Sequence, residues 1–224
     1  LRERCDALFI MPDANIIKTV RDKESVYRFF NGHERLVVIP TYPHAGRLEL
    51  TGQSLEGGII AKPRCGRSSQ GLMRLSLDDL ATVVPPDANG YVYQPEIMGD
   101  IYTSDVVRDM SGNCVCVSRR ELIRSANGAG FLVEISDFET DALAEIIAAE
   151  LGLIGGMNVE FILAAGQFFI MDVNPRFSAG VSFSRQAGYD FVRNTILAQH
   201  GKDIDTKRII KKGHFAKKIE DYSL

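Results

Sequence analysis

The chain has 224 residues, of which 45% are hydrophobic and 25% charged, with four cysteines and a formal net charge of -3. That is ordinary globular composition with enough apolar material for a sizeable core, and it excludes a disulfide-built miniprotein and a disordered chain. The small net charge gives no global reason to expect nucleic acid or an anionic membrane as partner.

No stretch approaches ~18 uninterrupted apolar residues, so no spanning helix is expected, and no signal peptide is seen. Length alone suits one or two compact lobes. The chain opens on Leu1 rather than Met, which leaves open that it is a piece of a longer protein.

In chain order, residues 7–21 read as a short strand followed by a helix-like or loop segment. Asp22 suits an N-cap, and Val26, Phe29 and Phe30 follow at helical spacing. Leu36 to Pro40 reads as a short strand. Gly58 to Lys62 is a strand that runs into a Gly/Ser-rich loop, Lys62-Pro63-Arg64-Cys65-Gly66-Arg67-Ser68-Ser69-Gln70-Gly71. Asp78 to Val84 is a short helix or turn closed by Pro85-Pro86, and Tyr91 to Gln94 is a strand stopped by Pro95.

A sheet follows. Tyr102 to Arg108 and Cys114 to Arg120 are alternating strands joined by the turn Met110-Ser111-Gly112-Asn113. Cys114 and Cys116 share one face of the second strand, with no further Cys/His pair nearby to complete a zinc site. They read as reduced core or half-buried thiols, which fits a cytosolic compartment. Ser136-x-x-Glu139 is a capping-box signal opening an amphipathic helix, with Leu143, Ile146, Ile147 and Leu151 on one face and Gly152 at its end. Two strands flank a hairpin signal at Ala165-Gly166-Gln167. A last helix follows Gly188. The basic run Lys207 to Lys218, interrupted by Ile209, Ile210 and Phe215, reads as a solvated face. Antiparallel strands with separate helices predict an α+β fold.

The chemistry concentrates in that hairpin. With a three-residue loop at 165–167, Glu160 falls opposite Asp172 on one face, their Cβ atoms ~5 Å apart. Strict alternation puts Phe168, Ile170, Asp172 and Asn174 on that face, with Asn158, Glu160 and Ile162 facing them. Two carboxylates so placed repel unless a hard dication neutralises them, and Asn174 adds a neutral oxygen. Mg²⁺ suits the set when phosphates supply its remaining ligands. Arg176 follows Pro175 immediately, where a cation suits a phosphate oxygen or developing negative charge. A polar, solvent-facing strand is the bland alternative, and the flanking Phe161, Phe168, Phe169 and Ile170 weigh against it.

The loop after Lys62 is no Walker P-loop, since Leu72 stands where the lysine is required, and no G-x-G-x-x-G occurs. A strand-end lysine before glycines suits a flap over phosphates, with backbone N–H groups and Ser hydroxyls as donors. A mobile surface loop is the alternative. Lys23 sits in the first turn of a helix, where the macrodipole disfavours a cation unless an anion is bound.

Together these residues resemble the ATP-grasp superfamily, most closely its carbamoyl-phosphate synthase large-chain-like branch, from about Asp22 to about Asp190. Asn158-Val159-Glu160-Phe161 and Met171-Asp172-Val173-Asn174-Pro175-Arg176 carry the likeness. The resemblance implies an α+β ATP-grasp fold, two lobes with the nucleotide between them. It implies ATP as nucleotide and Mg²⁺ (or Mn²⁺) held by Glu160, Asp172 and Asn174. Lys23, Lys62, Gly66 and Ser68 are expected at the phosphates, and Gln94, Glu96, Ile97 and Asp100 around adenine and ribose. Arg176 and Arg120 are expected at the reacting groups, and Arg119 and Arg120 both match basic residues that in the family follow the central strands and often touch phosphate or substrate.

Pro95, Ile101 and Asp172 depart from the family pattern, where Glu is usual at each position. Residues 1–21 are expected to be a remnant of, or linker from, an N-terminal domain, 22–92 a small lobe with the flap, and 93–224 a C-terminal lobe with the metal hairpin. The implied activity is ATP-dependent ligation of a small-molecule carboxylate, or bicarbonate, to an amine or ammonia. A nucleotide-binding regulatory module without ligase activity is the alternative. No nucleic acid or membrane partner is expected, the compartment is expected to be cytoplasmic, and a homodimer is left open.

Overall fold

A computed structural model describes residues 10–43, 57–66, 70–76, 78–81, 90–125 and 130–218. Two short helices open it, α1 (Ala14–Arg21) and α2 (Lys23–Phe30), the first of them where a helix-like or loop segment was expected before Asp22. Asp22 ends the first and caps the second: its Oδ1 accepts from the backbone N–H of Glu24 (3.0 Å) and of Ser25 (3.3 Å). The strand expected near residue 7 lies largely outside the described residues.

The strands are β1 (Val37–Val38), β2 (Ile59–Pro63), β3 (Met73–Leu75), β4 (Tyr91–Pro95), β5 (Asp100–Arg108), β6 (Cys114–Arg124), β7 (Gly130–Ile135), β8 (Gly155–Ala164), β9 (Gln167–Asn174) and β10 (Gly213–Ala216). Helix α3 (Glu139–Glu150) precedes β8, and α4 (Val181–Gln186) and α5 (Phe191–Gln199) follow β9. Among the described residues a 3-10 turn spans Asp78–Ala81. The expected α+β class holds.

The strands form two sheets. The larger runs β1-β9-β8-β5-β6-β7-β10, antiparallel except for β1 beside β9. The smaller is antiparallel, in the order β3-β2-β4. Strands β3, β7 and β10 were not anticipated. Strand β10 pairs with β7 from inside the basic run expected to be a solvated face, although Ile209 beside it is 93% exposed.

Each face of the large sheet has its own core. On one side α1, α2 and α3 pack on Tyr102, Val106, Cys116, Met157, Val159, Phe161, Ile170 and Val173. On the other, α4 and α5 cover Val107, Val115, Val117, Val133 and Ile135, at one end of the strands. The other end of that second face is left to a cavity under the small sheet, whose own core is Ile59, Ala61, Leu75 and Tyr93.

Helix α3 begins without the expected capping box. Phe138 is its N-cap, no side chain caps it, and Ser136 stands two residues too early. Packing sets the start instead, through an edge-to-face contact of Phe138 with Tyr102 at 5.1 Å. Gly152, at φ 62°, ends the helix region as expected. Cys114 and Cys116 are free thiols, half-buried and buried, and burial raises both above the usual thiol range, Cys114 to about 12. Among the described residues no helix is long and apolar enough to cross a membrane.

Candidate active site

The β8–β9 hairpin turns in two residues, not three. Ala164 pairs with Gln167, and the two loop residues both have positive φ, 49° at Ala165 and 78° at Gly166. That combination matches the tight turn that follows strand twist. It would leave Glu160 out of register with Asp172, but a bulge intervenes. Phe161 pairs with Ile170 while Glu160 pairs with Asp172, so Met171 is the extra residue.

The bulge also changes which side chains share a face. Phe168 and Ile170 point into the helix-covered core with Val173, not onto the face of Asp172 as strict alternation required. Past the bulge, Asp172 shares the cavity wall with Met171 and, across the ladder, with Glu160, Asn158 and Ile162.

That cavity holds about 660 Å³ between the two sheets. The expected site residues Lys23, Lys62, Gly66, Gln94, Glu96, Ile97, Glu160, Asp172 and Arg176 all line it. Ser68 lies outside the described residues. Ile39, Ile60, Leu72, Met98, Ile101 and Ile162 supply apolar wall. Gly99 passes so close to β8 that a Cβ there would come within 2.0 Å of Leu163 O. This crossing seats the 95–99 segment over the end of the large sheet.

Electrostatics divide the cavity. Burial, then the facing Asp172, pushes the Glu160 carboxyl up from the ordinary range, while Arg124, 3.2 Å from its Oε2, pulls the other way. Lys62 is half-buried at the end of β2. Desolvation, helped by Lys23, lowers its ammonium to about 8, against the pull of Asp172 and Glu160. The two lysines are brought together by a staple that the sequence did not announce. Arg64 donates to both carboxylate oxygens of Asp22 (2.8 and 2.6 Å) and lies 2.7 Å from Glu24 Oε2. It ties the start of α2 to the end of β2.

Three expected residues are placed otherwise. Arg120 lies on the opposite face of β6, paired with Glu134 (2.7 Å) and Asp100 (3.6 Å), and neither Arg120 nor Asp100 lines the cavity. Its neighbour Arg119 faces the cavity instead, with Glu121 and Arg124. Asn174 stands beside the carboxylates, but its amide nitrogen faces Asp172 (3.4 Å) and Asn158 (3.4 Å), and its oxygen accepts from Arg176 Nη2 (3.5 Å). Ligation through that oxygen needs a half-turn of the amide. At the hinge, the backbone N–H of Glu96 is taken by Gly58 O (3.0 Å) and its carboxylate by Arg74 Nε (2.7 Å), so neither is free for adenine. Gln94 donates to Thr41 Oγ1 (2.6 Å).

The donor set fits a hard dication. Two carboxylates face one another, one is held above its ordinary range by its buried, like-charged surroundings, and a carboxamide lies beside them. Among the described residues no group of three or more His, Cys, Asp or Glu side chains converges into a metal site. Such an ion would therefore take most of its shell from ligand oxygens and water.

A match of the family described as "ATP-grasp in the biosynthetic pathway with Ter operon" covers residues 90–221, more than half of the chain. The chain belongs to the ATP-grasp family. This ATP-grasp chain is 30% identical over 124 residues to the carbamoyl phosphate synthase large chain of Thermoplasma acidophilum, covering 50% of the chain but 12% of that relative. Among solved structures it resembles a biotin carboxylase complex from Campylobacter jejuni (TM-score 0.76, 19% identity, 93% of this chain and 52% of that one). It also resembles the biotin carboxylase domain dimer of Hydrogenobacter thermophilus 2-oxoglutarate carboxylase, in complex with MgADP, ADP and bicarbonate (TM-score 0.76, 17% identity, 92% and 51%). At those identities the structural likeness speaks to the fold.

Proposed function

We propose that the chain is an ATP- and Mg²⁺-dependent ligase module that activates a carboxylate, or bicarbonate, as an acyl phosphate for attack by an amine or ammonia. The Glu160–Asp172 pair carries this reading, because it faces the same cavity as Lys23, Lys62 and Arg176. Anionic phosphates need that cationic wall, and the carboxylates need a dication that phosphates also ligate. The family membership supports it, as does the MgADP and bicarbonate named for the Hydrogenobacter structure.

In this reading a substrate carboxylate oxygen attacks the γ-phosphorus and ADP leaves. The amine nitrogen then attacks the acyl carbon, and inorganic phosphate leaves. The chain's part is positioning and charge neutralisation. Lys23 and Lys62 hold the phosphate oxygens, and Arg176 faces the reacting group. Glu160, Asp172 and, after its amide turns, Asn174 would hold Mg²⁺, which supplies charge neutralisation at the phosphates. Ile39, Ile101 and Ile162 offer an apolar slot to a purine. The division into a flap-bearing lobe over residues 22–92 and a metal-bearing lobe over 93–224 belongs to the same proposal.

The engaged Glu96 N–H and the apolar Ile101 favour one alternative, a module that binds nucleotide without ligating. Calorimetry with Mg·ATP, followed by ADP release across a panel of acids with ammonia or amines, separates the two. Binding with acid-dependent ADP release supports the ligase, and binding without release on any pair supports the regulatory module. No binding at millimolar Mg·ATP contradicts both.

A further inference from the structure

The loop from Pro175 to Gly180 joins β9 to α4 and carries Arg176. It is held from two sides. On the hairpin side, Asn158 Nδ2 donates to the backbone oxygen of Arg176 (2.9 Å). On the other side stands Arg119, whose side chain is 2% exposed. Its Nη2 donates to Ser178 Oγ (3.0 Å), and the same oxygen accepts from the backbone N–H of Gly180 (3.2 Å). Gly180 lies against the guanidinium, where a Cβ would come within 2.8 Å of Nε, Cζ and Nη2.

Arg119 is itself fixed. Nη1 donates to Asp105 Oδ2 (2.8 Å), which also accepts from Ser184 Oγ on α4 (2.7 Å). Nε donates to Glu121 Oε1 (3.2 Å), which also accepts from Thr103 Oγ1 (2.9 Å). The side chains of Asp105 and Glu121 are as buried as that of Arg119. A guanidinium matched by two buried carboxylates is poorly suited to receive a substrate anion. A planar fork locked on three sides is well suited to hold a backbone.

We infer that Arg119 is a positioning residue: through Ser178 and Gly180 it fixes the 175–180 loop and so aims Arg176 at the Asp172 side of the cavity. The aim of Arg176 rests on the proposed function, because it assumes a phosphoryl or acyl group there. The fixing of the loop does not.

Truncating Arg119 would strand two buried carboxylates and risk unfolding, so the lighter variants are Ser178→Ala and Arg119→Lys. Arg119→Lys keeps the charge and loses the fork. With the full chain, hydrogen exchange of the amides from Phe177 to Gly180, calorimetric affinity for Mg·ATP and Mg²⁺-dependent ADP release are measured. They are compared in Ser178→Ala, Arg119→Lys, Arg176→Ala and Ser178→Ala combined with Arg176→Ala.

The expected result is exchange about tenfold faster at those amides, the weight of one lost hydrogen bond, with β5 and β8 amides unchanged. Affinity or turnover falls in the single variants, and adding Ser178→Ala to Arg176→Ala produces no further loss. Unchanged exchange, or losses that add, overturns the inference, as does an Arg176→Ala variant that behaves as the parent protein. If the parent chain binds Mg·ATP without turnover, the ligase reading falls while the affinity cycle still decides. If it binds none, the exchange result alone decides whether Arg119 holds the loop.

Discussion

Glu160 and Asp172 stand directly opposite each other across the β8–β9 hairpin because Met171 is an extra residue in β9. Without the bulge, the two-residue turn would pair Glu160 with residue 171, and Asp172 would share the parity of the buried Ile170. Deleting Met171 therefore removes the extra residue and leaves a regular ladder, with Asp172 still opposite Glu160 and Val173 still in the core. The deletion variant should keep the Mg·ATP-induced rise in Tm, with a loss of stability of roughly 0.5–3 kcal/mol for the altered strand; a lost rise would show that the bulge itself shapes the site. Denaturant unfolding with and without Mg·ATP checks both parts.

Gly99→Ala tests the crossing that seats the hinge. Its methyl would meet Leu163 O at 2.0 Å, a backbone atom that cannot rotate away. The expected cost is about 1–3 kcal/mol, with weaker nucleotide binding, because the 95–99 segment must lift from β8. Parent-like stability and affinity together would show that the segment is not pinned there.

Arg120→Ala separates the two faces of β6. Its ion pairs, with Glu134 and with Asp100, lie outside the cavity, and the Arg120 and Asp100 side chains are 36% and 61% exposed. Loss of those pairs should cost at most about 1 kcal/mol and leave Mg·ATP affinity within experimental error. A large loss of affinity would put Arg120 at the nucleotide after all.

The contrast between Arg119 and Arg120 shows where sequence reasoning stopped. Both faces of β6 carry apolar residues, Val115 and Val117 toward α4 and α5, Cys116 toward α3, so alternation alone could not say which arginine faced the cavity. The carboxylate pair was legible, yet for a mistaken reason: a three-residue turn without a bulge and a two-residue turn with one give the same pairing at Glu160. They give different faces for Phe168 and Ile170, and only tertiary packing distinguishes them. Strand β10 was hidden in a basic run because its pairing with β7 is long-range. The start of α3 was misread because Phe138 packing, not a Ser136 hydroxyl, decides it.

Lys62 gives a pH signature. Desolvation holds its ammonium near 8 in the free chain, so the protonated form that attracts phosphates is lost as pH rises through that value. Mg·ATP affinity should weaken between pH 7 and pH 9, and Lys62→Arg should flatten that dependence. Affinity that stays constant over this range in the parent chain would remove Lys62 from the phosphates.

Glu160 gives a second signature, in stability. Its pKa is raised on folding, so its favourable contribution is complete below the unfolded carboxylate range and is lost as pH rises through the folded value. At neutral pH without metal, Glu160→Gln should raise Tm, by about 2–4 °C for each kcal/mol relieved in a chain of this size. The difference should vanish in acid below the ordinary carboxylate range. Thermal melts of both proteins at the two pH values check the sign.

The most direct measurement of the central claim is calorimetric titration of Mg·ATP into the parent chain, Glu160→Ala and Asp172→Ala, with chelator controls. The account predicts Mg²⁺-dependent binding in the parent and a loss of at least about tenfold in affinity in each variant, with native hydrogen-exchange protection of β8 and β9 retained. Binding of equal strength in all three proteins, or binding indifferent to Mg²⁺, would contradict it.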